Sequence, residues 1–584
     1  MSKSNPRKPA CTMGESADLS RLLSLRSEFS ANSAVRKTRL LNKLGKVKFT
    51  NSVDLLAYHD LLTFMFAYPD TSQSRKLAES ELAGFLERVV DYLLNSKDKA
   101  GLKLYNSGLD GTMIEYPFSF GVVDQLTEAF PHSVNVIWDD VDDEVQDKLM
   151  EIVQLLLAWH ENDAIDNDDY QSTAGWLELA RSPVQASDLR LIIDLFRRAP
   201  LPDNVRQHLY DGLDITVNWD LTDCPVSRTQ HRLPGKQVFY QKQDFRRRCQ
   251  DLRKELKKPA SRLQALGKTE GRQLVMAINQ VLAVRARELF PITYANPAEV
   301  YRFEPGRGVQ LYVFGASPEI RLPFESNYGA MLVRNGIPIG YGVGATLFDR
   351  VEIAINVFPA FRGGESAFII EQFFKLFYHH FGSRIFLVRS RQMGDGDDEP
   401  IKAGSFWFYY KLGFRAIEQR IRNLAEEEYG RIRQTRGYRS SERMLRRLSK
   451  SDVFMHIDPN QMDGFDELPL QNLGYIVTRY AADKFGGNRQ EMTRESSRRL
   501  ARTLKVGDLK SWTSDERNSL DRLSPLLVNI PGLKNWSSTD RDLLTQCIRA
   551  KGGARERRFA ILTNRHRKFR DTLWDMATSN EQSM

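Results

Sequence analysis

Cysteine is scarce in this chain, with four among 584 residues. Cys11, Cys224, Cys249 and Cys547 lie far apart and form no C-x-x-C pair, so the sequence offers neither a disulfide framework nor a thiolate zinc site. Long apolar runs are absent too. The most hydrophobic short stretch, Val153 to Trp159, falls well short of the ~20 residues needed to cross a bilayer. The basic N-terminus, M-S-K-S-N-P-R-K-P-A-C-T-M, is followed by no apolar segment, which argues against a secretory signal. By elimination the sequence reads as cytoplasmic, with no membrane partner. No repeat of fixed period is visible.

What is present is the composition of a soluble globular protein, 41% hydrophobic and 27% charged, long enough for roughly three or four domains. The net charge of +9 suits a nucleic acid or an acidic ligand, and equally a solvated surface. Residues 1–48 are polar and basic and read as a flexible arm; 49–290 read as mainly helical. Helical spacing is clearest from Leu55 to Leu94, Val145 to Trp159 and Ala186 to Phe196. Acidic clusters at Asp139 to Glu144 and Asp163 to Asp169 lack the glycine and terminal glutamate of a calcium loop, so no metal site is assigned. Arg246 to Arg287 is basic and helical by pattern, either a linker helix or a phosphate-contacting one. Residues 426–584 again read as helical, with Trp512, Trp536 and Trp574 as core anchors.

Between these regions the pattern changes. Tyr328 to Val333, Asn335-Gly336 and Ile339 to Phe348 form a hairpin signature. Val351, Ile353, Ile355 and Val357 then alternate with Glu352, Ala354 and Asn356, as in a strand with one buried face. Pro359 ends that ladder and Arg362-Gly363-Gly364 permits a tight turn. Ala367, Ile370, Phe374 and Phe377 follow at helical spacing. A strand passing through a glycine turn into a helix N-terminus makes an anion cradle, because free N–H groups and the helix dipole converge there.

This order of elements, together with V-F-P-A-F-R-G-G-E-S-A from Val357 to Ala367 and Y-Y-K-L-G-F from Tyr409 to Phe414, resembles the GNAT superfamily of acyl-CoA N-acyltransferases. The resemblance implies an α+β domain at 291–425: a mixed, mostly antiparallel sheet with helices, flanked on both sides by all-α regions. It implies acetyl-CoA or a longer acyl-CoA as donor and an amine as acceptor, without a metal. The cofactor would lie on Val357, Phe358, Arg362, Gly363, Gly364, Ser366 and Ala367. Backbone N–H groups near Val357 and Phe358 would polarise the thioester carbonyl, Tyr409 would protonate the leaving thiolate, and Glu352 would act as base through water.

Glu365 stands where the family pattern has glycine. A carboxylate in the cradle is expected to repel a pyrophosphate by a few kcal/mol, roughly, at contact distance, so removing it should tighten CoA binding. Two other functions fit the same residues. One is a non-catalytic fold of this type that binds a partner protein. The other is an aminoacyl-tRNA-dependent transferase, which needs no pyrophosphate in the turn and would use the arginines from Arg246 to Arg272 and Arg431 to Arg447. The loop Met393 to Pro400 carries Asp395, Asp397, Asp398 and Glu399, which would receive a cationic amine or remain a solvated loop. His379 and His380 have no metal-ligand spacing.

Overall fold

The computed structural model describes residues 17–95, 104–157, 161, 172–222, 224–235, 237–246 and 248–579. The acidic run at Asp163 to Asp169 and Cys11 lie outside them. The strands are β1 (Met113–Tyr116), β2 (Val134–Asn135), β3 (Val217–Asp220), β4 (Leu263–Ala265), β5 (Ala295–Gly306), β6 (Val309–Ala316), β7 (Ser326–Arg334), β8 (Ile337–Leu347), β9 (Arg350–Val357), β10 (Ile385–Val388), β11 (Arg415–Ala416) and β12 (Val453–His456).

The fold is mixed α+β. Nine strands form one sheet in the order β11-β12-β10-β9-β8-β7-β6-β5-β4. Every neighbouring pair is antiparallel except β9 and β10. The β7–β8 hairpin turns at Asn335 and Gly336, whose φ values of 49° and 83° are the left-handed pair that a two-residue hairpin loop demands. Parallel β9 and β10 need a crossover, supplied by the helix Ser366–His380. That helix buries Phe368, Phe373, Phe374 and Phe377 against the sheet.

The sheet extends beyond 291–425 at both ends. β4 precedes it, and β12 pairs with both β10 and β11. A fragment 291–425 therefore lacks the strand that covers the outer edge of β10. Circular dichroism of that fragment is expected to show an unfolded chain, in contrast to the full-length protein.

The regions flanking the sheet differ from the sequence expectation in three ways. Residues 17–48 are not a loose arm: the helices Ala17–Leu25 and Ala31–Leu44 place Leu19, Leu22, Leu41 and Leu44 in the main core at 0–1% exposure. Leucines at helical spacing outweigh the basic composition, since one apolar stripe suffices to dock a helix. The region before the sheet is not all-α either, because β1, β3 and β2 form a second antiparallel sheet with its own core around Trp219. Between Arg246 and Arg287 the chain forms two helices, Leu252–Lys257 and Lys268–Ala283, with β4 between them. After β12 the chain is helical from Leu470 to Ser579, with Trp512 and Trp536 buried and Trp574 packed against the same cluster.

Candidate functional site: the glycine turn and the gap beside β9

β9 and β10 pair over only three residues of each, Ile385 with Arg350, Phe386 with Val351 and Leu387 with Glu352. Beyond Glu352, β9 runs on to Val357 against β8 alone, so a gap opens on its β10 side. Two N–H groups face that gap. Ile355 donates to Gln392 Oε1 at 3.3 Å. The N–H of Phe358 is spent on Ile339 O at 2.9 Å, so by the alternation of an antiparallel ladder the N–H of Val357 points away from β8 into the gap. Of the two expected carbonyl donors, Val357 keeps its hydrogen aimed at the open edge and Phe358 does not.

The turn follows. Gly363 adopts φ 85°, a conformation that strains any residue with a side chain. Gly364 lies against the Tyr68 ring, where an added Cβ would come within 2.9 Å of it. The helix starting at Ser366 has no side chain capping its N-terminus, so its first-turn N–H groups, with Ser366 and Ala367 partly accessible, face outward from the chain. Such a terminus attracts anions through orphan donors and the macrodipole.

Glu365 does not occupy this cradle. Its side chain is fully buried behind the turn, at 0% exposure. It accepts from Arg334 Nη1 at 2.9 Å, Arg307 Nε at 3.2 Å and the Arg246 backbone N–H at 3.0 Å. The guanidinium of Arg334 also bonds Gln241 Oε1 at 3.1 Å and stacks over Tyr68 and Phe239. The expected repulsion of a pyrophosphate is thus offset by two guanidiniums. Arg362 is likewise committed: Nε donates to Val357 O at 3.1 Å and Nη1 pairs with Glu399.

Of the catalytic candidates, one is ion-paired and the other buried. Glu352 pairs with Arg389 Nε at 2.7 Å, and Arg389 also holds Asp452 at 2.8 Å and Glu467 at 2.6 Å. The Glu352 carboxylate is thus engaged in an ion pair. Tyr409 is buried, with Phe408 and Phe414 against its ring. Burial pushes its hydroxyl pKa up, which makes it a poorer acid toward a thiolate. The carboxylates of the acidic loop are also engaged, Asp395 with Lys450, Asp398 with Arg446 at 2.7 Å and Glu399 with Arg362. They are therefore not free to receive a polyamine.

Of the basic residues expected as phosphate contacts, Arg246 is exposed and Arg253 half-buried, and both are engaged within the chain. Arg246 stacks on Phe368 and Arg253 donates to His456 O at 2.9 Å. Among the described residues no group of three or more His, Cys, Asp or Glu could hold a metal ion, and no helix is long and apolar enough to cross a membrane. A cleft of ≈ 1210 Å³ between Tyr294, Phe290, Val477 and Met492 is lined by none of the turn residues.

Comparison with known proteins returned nothing. No family model, no curated protein and no solved structure matches the chain. The functional reading rests on geometry alone.

Sequence reasoning missed Gln392, which fills the gap, and the arginines that neutralise Glu365. Gln392 follows a β-strand at no motif spacing. Arg307 and Arg334 are 58 and 31 residues from Glu365, a distance over which no local pattern speaks.

Proposed function

We propose that the chain is a GNAT-type acyl-CoA N-acyltransferase-like protein that transfers an acyl group to an amine. The observation that carries this reading is the junction of β9, the glycine turn and the uncapped helix Ser366–His380. A strand with an open edge N–H leads directly into an anion cradle, so one extended ligand can lay its amides along Val357 and its phosphates on the turn. The parallel β9–β10 pair, followed by the antiparallel β10–β12 and β12–β11 pairs, agrees with the strand order such a fold requires.

Isothermal titration with acetyl-CoA and longer acyl-CoAs tests the reading. Binding at millimolar or tighter dissociation constants is expected, and none up to that range would overturn it. Ala367→Glu puts a carboxylate at the mouth of the cradle without touching the Glu365 network. It is expected to weaken binding by about tenfold or more, which corresponds to about 1.4 kcal/mol.

A second reading is a fold of this type that binds the donor without transferring it. The ion-paired state of Glu352 and the burial of Tyr409 favour it. A coupled assay of free CoA release separates the two. If catalysis depends on these residues, Glu352→Gln and Tyr409→Phe each lower kcat by roughly 10² or more. Release absent in the wild type despite binding supports the second reading, whereas release unchanged in both variants shows that transfer uses other residues.

A further inference from the structure

Beside the glycine turn, on the side formed by the N-terminal helices, lies an arginine cluster whose charges do not balance. Arg228 Nη2 pairs with Asp60 Oδ1 at 2.8 Å. Arg26 and Arg285 lie near the same carboxylate, Arg232 sits beside Arg285 and His59, and none of the three has a carboxylate within ion-pair distance among the described residues. Glu79 reaches Arg232 only at longer range.

Each unpaired guanidinium is held in place by an aromatic face instead. Arg26 lies over Phe64 at 4.9 Å, Arg232 over Phe66 at 4.8 Å and Arg285 over Phe358 at 4.5 Å. Two of them touch the turn itself. Arg285 stacks on Phe358, the residue after β9, and Arg26 Nη2 donates to Arg362 O at 3.1 Å.

Solvent reaches the cluster, since Asp60 keeps 31% and Arg228 22% of their side-chain surface accessible. Burial and neighbouring cations nonetheless push Arg285 down to about 9 and, with burial again the leading cause, Arg232 down to about 10. His59 and His231 are pushed down to about 4, chiefly by burial, and stay neutral. His231 Nε2 is buried without a hydrogen-bond partner. Cations crowded at low dielectric destabilise the fold unless an anion joins them. Planar guanidiniums clamped by aromatic rings present the donor fork that suits phosphoryl oxygens.

We propose that this arginine cluster binds a small ligand carrying two or more negative charges on phosphoryl oxygens, held by Arg26, Arg228, Arg232 and Arg285. Four guanidiniums against the two carboxylates of Asp60 and Glu79 leave two positive charges in excess, which calls for more than one negative charge. The proposal stands whether or not the turn takes acyl-CoA, because the arginines belong to elements outside the turn.

The test is thermal unfolding of the full chain at low salt, with and without millimolar inorganic pyrophosphate, for the wild type, Arg285→Met, Arg232→Met, Ala367→Glu and the exposed-surface control Arg433→Met. Pyrophosphate is expected to raise Tm in the wild type, Ala367→Glu and Arg433→Met, and to lose its effect in Arg285→Met and Arg232→Met. Without ligand, Arg285→Met is expected to melt above the wild type, because one unpaired cation is removed while its packing on Phe358 is kept. A pyrophosphate shift absent from the wild type would overturn the proposal. So would a shift that survives both arginine changes, or one abolished by Ala367→Glu alone, which would place the anion on the turn. An Arg285→Met protein that folds but melts below the wild type would make Arg285 a structural residue and refute it as well.

Discussion

Glu365→Gly, the change that the family pattern suggests as a repair of the turn, is expected to destabilise the protein by about 3–5 kcal/mol, because breaking a buried pair leaves its partner charge uncompensated. The pair here is fully enclosed, with both Glu365 and Arg334 at 0% exposure. Removing the carboxylate strands Arg334 between Tyr68 and Phe239 with Gln241 as its remaining hydrogen-bond partner. It also removes the acceptor of the Arg246 backbone N–H. Glycine adds backbone freedom at the entry to a helix and makes matters slightly worse. Urea denaturation of the wild type and Glu365→Gly measures the difference. Glu365→Gln separates charge from shape: it keeps one acceptor oxygen, so it should recover part of the loss and not all of it. Equal stability in Glu365→Gly and the wild type would show that the Arg334 contact contributes nothing. The tightening of CoA binding expected from the sequence is withdrawn, since the carboxylate does not reach the cradle.

The contrast between Glu365 and the hairpin beside it shows where sequence legibility ends. Asn335-Gly336 specifies its turn because only residues tolerant of positive φ fit there, and alternation along β9 specifies its buried face because a one-residue slip would expose it. These are local constraints, readable within ten residues. β12 is equally short and fully buried, yet V-F-M-H sits between charged runs and alternates nothing. A strand covered on both faces has no period to read. The helices of residues 17–44 were obscured differently, because basic residues on the outer face dominate composition while a few leucines decide docking. Ion partners are the least legible of all. Whether Glu352 is a base or a strut depends on Arg389 and whether Glu365 repels or binds depends on Arg334, and both partners are fixed by tertiary folding.

The largest loss is expected from Glu299→Ala, at about 3–5 kcal/mol or more. Glu299 on β5 is fully buried and joins the sheet to the C-terminal helices. Its carboxylate accepts from Tyr328 Oη at 3.0 Å, from Arg321 Nη2 at 3.3 Å, and from the backbone N–H groups of Glu556 at 2.8 Å and Arg557 at 2.9 Å. Around it Arg321 Nη1 donates to Lys551 O at 2.7 Å and to Gly553 O at 2.6 Å, while Lys551 pairs with Glu556. Two acids and two bases thus balance inside one water-free junction. Gly315 is required opposite, because any Cβ there would sit 2.5 Å from the Glu299 carboxyl carbon. Alanine at 299 leaves Arg321 with Glu556 as its remaining carboxylate partner and leaves two N–H groups without their acceptor. Hydrogen exchange should therefore show residues 551–565 opening before the sheet does, as a unit released from its anchor.

The pH dependence follows from the same site. Burial, only partly opposed by Arg321, holds the Glu299 carboxyl above its ordinary value. The folded state therefore binds this proton more readily than the unfolded chain, and the contribution of Glu299 to stability falls as pH rises from the ordinary carboxylate value through the raised one. Glu299→Gln cannot titrate, so its stability measured against pH should lose that downward step. A wild type and a Glu299→Gln variant with parallel pH profiles between pH 4 and 7, about the range in which a raised carboxyl titrates, would show that the junction carries no such proton.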